Sequence, residues 1–273
     1  MTDECLLAVA FQDPEFKDQA EKFAHQLSLP LVPYPLKNTL VTPNDERGNI
    51  AYFLVFAPAQ NNQYQIELVK NQKPYPRLCI NFLEGNTAYR IRQSTSVAQP
   101  LAKALGVKQG AGTHIIDATA GLARDAVVLA CFGCQLELIE RSPIIAALLQ
   151  DGLRRLSLAS SKNQRLSERM HLHIGDAKFL IPHICQNMCV EAIYLDPMYP
   201  TRTKQALVKK EMRMIRDIVG EDTDISELFE IALNSNLRRV VVKRPRNALS
   251  LKGPKPSHAI TSKNTRYDVY LNY

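Results

Sequence analysis

A chain of 273 residues, 45% apolar and 22% charged, is long enough for one large domain or a large domain with a small one, and can bury a core of ordinary size. Lys and Arg number 34 against 27 Asp and Glu, a net charge of +7 that suits a polyanionic partner without requiring one. No run approaches the roughly 18 apolar residues of a membrane span. Asp3 and Glu4 stand where a secretory leader would carry Lys or Arg, so a cytoplasmic protein with no membrane partner is expected. Cys131 and Cys134 form a lone Cys-x-x-Cys, and Gly133 between them reads as a helix stop before a buried strand. Zinc would need a second ligand pair at a matching spacing, so free thiols and no metal are expected.

Residues 1–95 offer a helix over 15–27 and short strands over 31–32, 51–56, 65–69 and 78–82, separated by Pro, Asn and Gln, which predicts a small α+β domain. From residue 96 to 273 the pattern becomes strands alternating with helices. A helix over 97–105 stops at Gly106; strands follow over 114–118, 135–140, 171–174, 192–195 and 239–243. Helices are predicted over 124–131, 143–158, 205–219 and 225–235, and a terminal hairpin over 267–271. Short apolar strands interleaved with helices predict a doubly wound, mostly parallel sheet.

Ligands of such sheets collect beyond the carboxyl ends of the strands. The first strand ends at Asp117 and runs into Ala118-Thr119-Ala120-Gly121-Leu122-Ala123-Arg124-Asp125, a small-residue turn that lets backbone approach a ligand. It is neither the Gly-x-Gly-x-x-Gly dinucleotide turn nor a P-loop. The second strand ends in Glu140-Arg141, where an acid can accept both hydroxyl protons of a ribose. The third ends in Gly175-Asp176, where an acid can accept from an adenine amine. Each is also compatible with an ordinary turn, but three in register point to an adenosine-containing ligand.

The fourth strand ends in Asp196-Pro197-Met198-Tyr199-Pro200. An amine conjugated to an aromatic base is a weak nucleophile because its lone pair is delocalised into the ring. The Asp196 carboxylate and a carbonyl near Pro197 can hold its two hydrogens while the Tyr199 ring stacks on an extruded base. Proline fixes that backbone and brings no competing donor.

With Ala206-Leu207-Val208-Lys209-Lys210-Glu211-Met212-Arg213 and Val240-Val241-Val242-Lys243-Arg244-Pro245, these segments resemble the ribosomal RNA small-subunit methyltransferase J family, in order from about residue 85 to 270. The resemblance implies a Rossmann-like class I methyltransferase fold with a seven-stranded sheet. It also implies S-adenosylmethionine as cofactor, and transfer of its methyl group to the 2-amino group of a guanine in 16S ribosomal RNA, free or in the small subunit. It places cofactor contacts on Asp117, Gly121, Arg124, Asp125, Glu140, Arg141, Gly175, Asp176 and Asp196, and catalysis on Asp196, Pro197 and Tyr199. Ala123 departs from the family's usual Gly, Gly175-Asp176 from a small hydroxyl pair, and Tyr199 from a frequent Phe. Lys209, Lys210, Arg213, Lys243 and Arg244 are expected to hold RNA phosphates. Two other readings stay open: an adenine-amine methyltransferase acting on DNA or RNA, and a non-catalytic RNA-binding protein that keeps the fold. A nicotinamide oxidoreductase should carry the glycine turn that is missing here.

Overall fold

Apolar runs in the first eighty residues form a five-stranded sheet of order β2-β1-β3-β4-β5 in the computed structural model, which describes residues 7–33, 50–60, 63–74, 76–94, 96–108, 110–198, 210–220 and 224–272. The strands are β1 (Leu7–Phe11), β2 (Leu31–Pro33), β3 (Tyr52–Pro58), β4 (Tyr64–Lys70) and β5 (Arg77–Leu78). β1 pairs in parallel with β2 and β3, whereas β4 is antiparallel to β3 and β5. The parallel β1–β2 pair needs a crossover, supplied by α1 (Lys17–Leu27). A turn of 3₁₀-helix at Pro14–Phe16 leads into it, and the Asp13 side chain accepts from the Glu15 amide. β3 is buried from Tyr52 to Ala57 because it is flanked on both edges.

The described residues divide into two units, one drawn from 1–80 and 201–220, the other from 81–200 and 221–273. The expected boundary at residue 95 is thus drawn differently. The helix α2 (Gly85–Gln93), which lacks a side-chain N-cap and an acidic first turn and so gave no sequence signal, belongs to the second unit. The later helix α8 (Lys210–Val219) belongs to the first, where its Asp217 carboxylate accepts from the Tyr52 hydroxyl at 2.5 Å and Lys70 Nζ at 2.8 Å.

The second unit is built on a seven-stranded sheet of order β11-β12-β10-β9-β6-β7-β8. β6 (His114–Asp117), β7 (Gln135–Glu140), β8 (Met170–Ile174), β9 (Ala192–Leu195) and β10 (Arg239–Pro245) are parallel. β11 (His258–Thr261) and β12 (Thr265–Leu271) close the edge as an antiparallel hairpin against β10. Strand order reverses between β6 and β9, the topological switch where doubly wound sheets bind ligands. The helices are α3 (Pro100–Leu105), α4 (Ala126–Cys131), α5 (Pro143–Ala159), α6 (Ser161–Ser167), α7 (Ala177–Asn187) and α9 (Ile225–Asn234). Ser142 caps α5 with Pro143 in its first turn, and Gly106 ends α3 at φ +70°. α7 escaped the sequence reading because Pro182 lies inside it. Its Ile181 and Ile184 nevertheless pack with Ile116, Ile193, Val242 and Phe229 in one core. Truncating a buried aromatic such as Phe229 to Ala costs about 3–5 kcal/mol.

Away from the carboxyl ends, Glu137 of β7 is buried at 1% exposure among three histidines. His114 Nε2 of β6 lies 2.7 Å away, and His171 Nδ1 and His173 Nε2 of β8 lie 3.3 and 2.6 Å away. Burial pushes the carboxyl up, but the hydrogen bonds of His173 and His114 outweigh it and hold it below the usual range. A depressed carboxylate gives stability that is present above its unfolded pKa and lost as pH falls through its folded pKa. Glu137→Gln should therefore cost about 1–3 kcal/mol at pH 7 through weakened hydrogen bonds, and the melting-temperature gap to the wild type should shrink toward pH 4, read by calorimetry at both pH values.

Candidate cofactor and acceptor site

The loop after β6 is shaped by two left-handed residues, Gly121 at φ +51° and Ala123 at φ +49°. A Cβ added at Gly121 would meet only the Thr119 carbonyl, at 3.8 Å, so this glycine leaves a face of backbone uncovered by protein. Ala123 is buried at 1% exposure in a conformation that costs an L-residue roughly 1–2 kcal/mol. Its strain explains why glycine is the more natural occupant. The loop is tied to the sheet by the Ala118 amide on the Tyr194 carbonyl and the Ala120 amide on the Ile139 carbonyl, both at 3.0 Å.

Glu140 at the end of β7 fixes the same loop. One carboxylate oxygen accepts from the Gly121 amide at 2.9 Å and the other from the Ser142 amide at 2.8 Å. Asp176, after β8, caps α7 by accepting from the Lys178 amide at 2.9 Å. Gly175, at φ +151°, donates its amide to the Glu140 carbonyl at 3.0 Å. Three consecutive strands thus bring Asp117, Glu140 and Asp176 to one edge of the sheet, as expected. Arg141 is exposed and pairs with Asp224 at 3.0 Å; Lys178 pairs with Asp224 at 3.2 Å and Glu227 at 2.9 Å. Arg124 is half-buried just before α4.

The centre of the site is a lysine between two carboxylates. Lys243 Nζ of β10 lies 2.8 Å from Asp125 Oδ2 and 2.7 Å from Asp196 Oδ2. Asp125 also accepts from Arg90 Nη2 of α2 and the Tyr194 hydroxyl of β9, each at 2.8 Å. Burial opposes the charge on Lys243, but Asp196 and Asp125 raise its pKa well above the ordinary lysine value. For Asp125, burial likewise opposes ionisation, yet Lys243 and Arg90 bring it down to about 2. Asp117, 2% exposed, goes the other way: burial first, then the charges of Asp125 and Asp196, push it up to about 8. At neutral pH the cluster holds a protonated Asp117 beside two carboxylates and two cations. The Asp196 amide donates to Thr119 Oγ1 at 2.6 Å, joining the Asp-Pro loop to the β6 loop. Pro197 behind it is buried.

The basic residues expected on RNA are placed differently. Successive strand residues face opposite sides, and Lys243 turns into the carboxylate cluster instead of toward solvent. Arg244 is 6% exposed and its guanidinium donates to the Leu249 carbonyl, a placement that withholds it from a phosphate. Arg213 is exposed on α8 of the other unit, which also contains Lys210. Tyr199 and Lys209 lie outside the described residues. Arg90, Thr119 and Tyr194 were missed. Tyr194 left a readable signal, since a tyrosine in a fully buried strand needs a partner for its hydroxyl; Arg90 left none, because its helix was not recognised.

With the geometry established, comparison with known proteins is informative. The profile of the SAM-dependent methyltransferase family matches residues 49–272. The chain is 40% identical over 265 residues to ribosomal RNA small subunit methyltransferase J of Thioalkalivibrio sulfidiphilus, covering 97% of each chain. It is 40% identical over 266 residues to the same-named protein of Pseudomonas fluorescens, covering 97% of this chain and 95% of that one. The crystal structure of a SAM-dependent methyltransferase from Neisseria gonorrhoeae superposes with a TM-score of 0.67 at 29% identity, covering 97% of this chain and 96% of that one. On these matches, the chain belongs to the ribosomal RNA small subunit methyltransferase J family.

Proposed function

We propose that this protein methylates the exocyclic 2-amino group of a guanine in 16S ribosomal RNA. The coarser activity, S-adenosylmethionine-dependent methyl transfer to small-subunit ribosomal RNA, is that of its family. The observation that carries methyl transfer to a base amine is the Asp196-Pro197 loop at the end of β9, bound through Thr119 to the Gly121 loop and through Lys243 to Asp125.

The residues present suit S-adenosylmethionine. The backbone beside Gly121 has no protein atom over it that a Cβ would strike closely, and the neighbouring strand ends carry acids that match a cationic, hydroxyl-rich nucleoside. Glu140 would take the ribose hydroxyls, Asp176 the adenine amine, and the loop around Gly121 the amino-acid portion. The cofactor supplies an electrophilic methyl group on a sulfonium. Asp196 accepts a hydrogen of the guanine amine and turns the nitrogen lone pair toward that methyl group. The N–C bond would form as the S–CH3 bond breaks and a neutral thioether leaves; the nitrogen, then cationic, would give up a proton that the Asp196 carboxylate is placed to accept. Lys243 positions Asp196 and keeps the two carboxylates, Asp125 and Asp196, from repelling one another. An adenine amine has the same delocalised lone pair; the kinship to small-subunit ribosomal RNA methyltransferases, with the guanine acceptor that the sequence resemblance implies, favours guanine. Nucleoside mass spectrometry of 16S RNA from cells lacking and regaining the protein should show N2-methylguanine returning, and N6-methyladenine in its place overturns the assignment.

Three results are expected at the site. Glu140→Gln should weaken S-adenosylmethionine binding by roughly 1.5–3 kcal/mol through loss of charge-assisted hydrogen bonds; unchanged calorimetric affinity removes Glu140 from this role. Asp196→Asn, at saturating cofactor, should slow single-turnover methylation on the order of 10²–10³-fold, and Asp196→Ala should slow it more. Asp117 titrates near 8 in the free protein. A cationic ligand lowers that value, so binding at pH 7 should release a proton, visible as a calorimetric enthalpy that varies with buffer ionisation heat. Its raised pKa also means that its contribution to stability is lost as pH rises from about 4 to 8. Asp117→Asn should therefore gain melting temperature relative to wild type at pH 9 compared with pH 5, and should abolish the proton release.

A further inference from the structure

A second cleft of about 600 Å³ opens in the larger unit between α2, α4 and α6. Cavities of about 300–1,000 Å³ accommodate compact organic ligands. Its floor is apolar, including Phe82 and Leu166, which are 2% and 9% exposed. Its rim is basic, carrying Arg92, Lys162, Arg165 and Arg169. Among the described residues lining it there is no Asp or Glu. Arg169 is anchored by donating to the Ala130 carbonyl at 2.9 Å, while Arg92, Lys162 and Arg165 are exposed and have no ion-pair partner among the described residues.

The cleft is connected to the reacting centre by two short elements. α4 runs from Asp125, one of the carboxylates on Lys243, to Cys131, which lines the cleft. Its 6 residues span about 9 Å. α2 carries Arg90, which pairs with Asp125, and two residues on, Arg92 at the cleft rim. Like positive charges gathered at one rim cost self-repulsion unless a polyanion meets them. The Cys131 thiol registers that field: burial raises its pKa, and Lys162 and Arg169 pull against it.

We infer that this cleft is a second RNA contact, in which Arg92, Lys162 and Arg165 take backbone phosphates flanking the methylated guanine and the apolar floor takes an unstacked base. Single-stranded RNA is held in this way, by cations along the backbone and an apolar surface under a splayed base. It rests on the proposed ribosomal RNA substrate, and it supplies the phosphate binding that Lys243 and Arg244 are placed too deeply to give. The contact is independent of sequence and fixes the register of the strand that presents guanine to Asp196.

The test is the triple variant Arg92→Gln, Lys162→Gln, Arg165→Gln, with melting temperature and S-adenosylmethionine affinity, both expected unchanged, as fold controls. Each phosphate contact on single-stranded RNA contributes about 0.7 to the log–log salt slope of binding. The slope should fall by about 2, and affinity for naked 16S RNA by on the order of 10²-fold at 0.1 M salt, with KM for RNA rising. A variant that binds with wild-type affinity and slope, while the wild type methylates the same RNA, overturns the inference and leaves the proposed function standing. A wild type that methylates no small-subunit RNA brings down both. A variant normal on naked RNA but defective on the assembled subunit assigns the cleft to a ribosomal protein and also overturns it.

Discussion

One ion cluster organises the larger unit: Lys243 bridging Asp125 and Asp196, with Arg90 on the far oxygen of Asp125. Those four residues come from α2, the loop after β6, the end of β9 and the end of β10, so a single ammonium ties together elements that the chain separates by more than a hundred residues. Without it, the Asp125 and Asp196 carboxylates would face one another uncompensated at the switch point between β6 and β9. Side-chain exposures of 26% for Lys243 and 12% for Asp125 make this more than a surface pair. Removing one partner of a half-buried pair leaves an uncompensated charge, which is why such clusters are costlier to break than to form. Asp117 has no cation in contact among the described residues, and burial with the nearby charges of Asp125 and Asp196 pushes its pKa up to about 8.

The arrangement sets what the acceptor carboxylate can do. Asp196 is held at three points: its amide by Thr119, its carboxylate by Lys243, and its following residue by the fixed φ of Pro197. A carboxylate positioned in this way loses little entropy when it meets an amine, the condition under which orientation alone is worth several powers of ten in rate. The Thr119 bond and the Lys243 bridge to Asp125 join it to the Gly121 loop, so occupancy of that loop bears on the alignment of Asp196.

Much of this was legible in the residues, and for identifiable reasons. Asp117, Glu140, Asp176 and Asp196 could be read as one edge because each ends an apolar run bounded by a turn, and parallel strands put their ends together. Gly106, Ser142 and Pro143 announced helix boundaries through backbone preferences that act locally. What failed was non-local or unsignalled. β1 lies inside the smaller sheet, between β2 and β3, yet reads as a plain apolar pentapeptide, and α7 hides behind Pro182. The split of the chain, with 210–220 counted among the first residues and 81–94 among the later ones, follows from long-range contacts that no local pattern reveals.

The pair Lys243-Arg244 shows what charge alone leaves out. Two adjacent basic residues at a strand end look like a phosphate clamp if only their charge is considered. A strand, however, sends them to opposite faces, and here one face is the carboxylate cluster and the other is buried under the segment carrying Leu249. Of the chain's 34 Lys and Arg, those that neutralise internal acids add nothing to the field felt by a polyanion. The net charge of +7 must therefore be expressed where cations outnumber acids locally. The cleft of Arg92, Lys162, Arg165 and Arg169 is such a place, and none of its residues belongs to a motif. Electrostatic recognition of a backbone needs only charges at a suitable spacing on a surface, whatever elements deliver them, so it leaves little trace in the order of residues along the chain. Chemistry on a base needs particular groups on particular strand ends, and that order is what the sequence preserves.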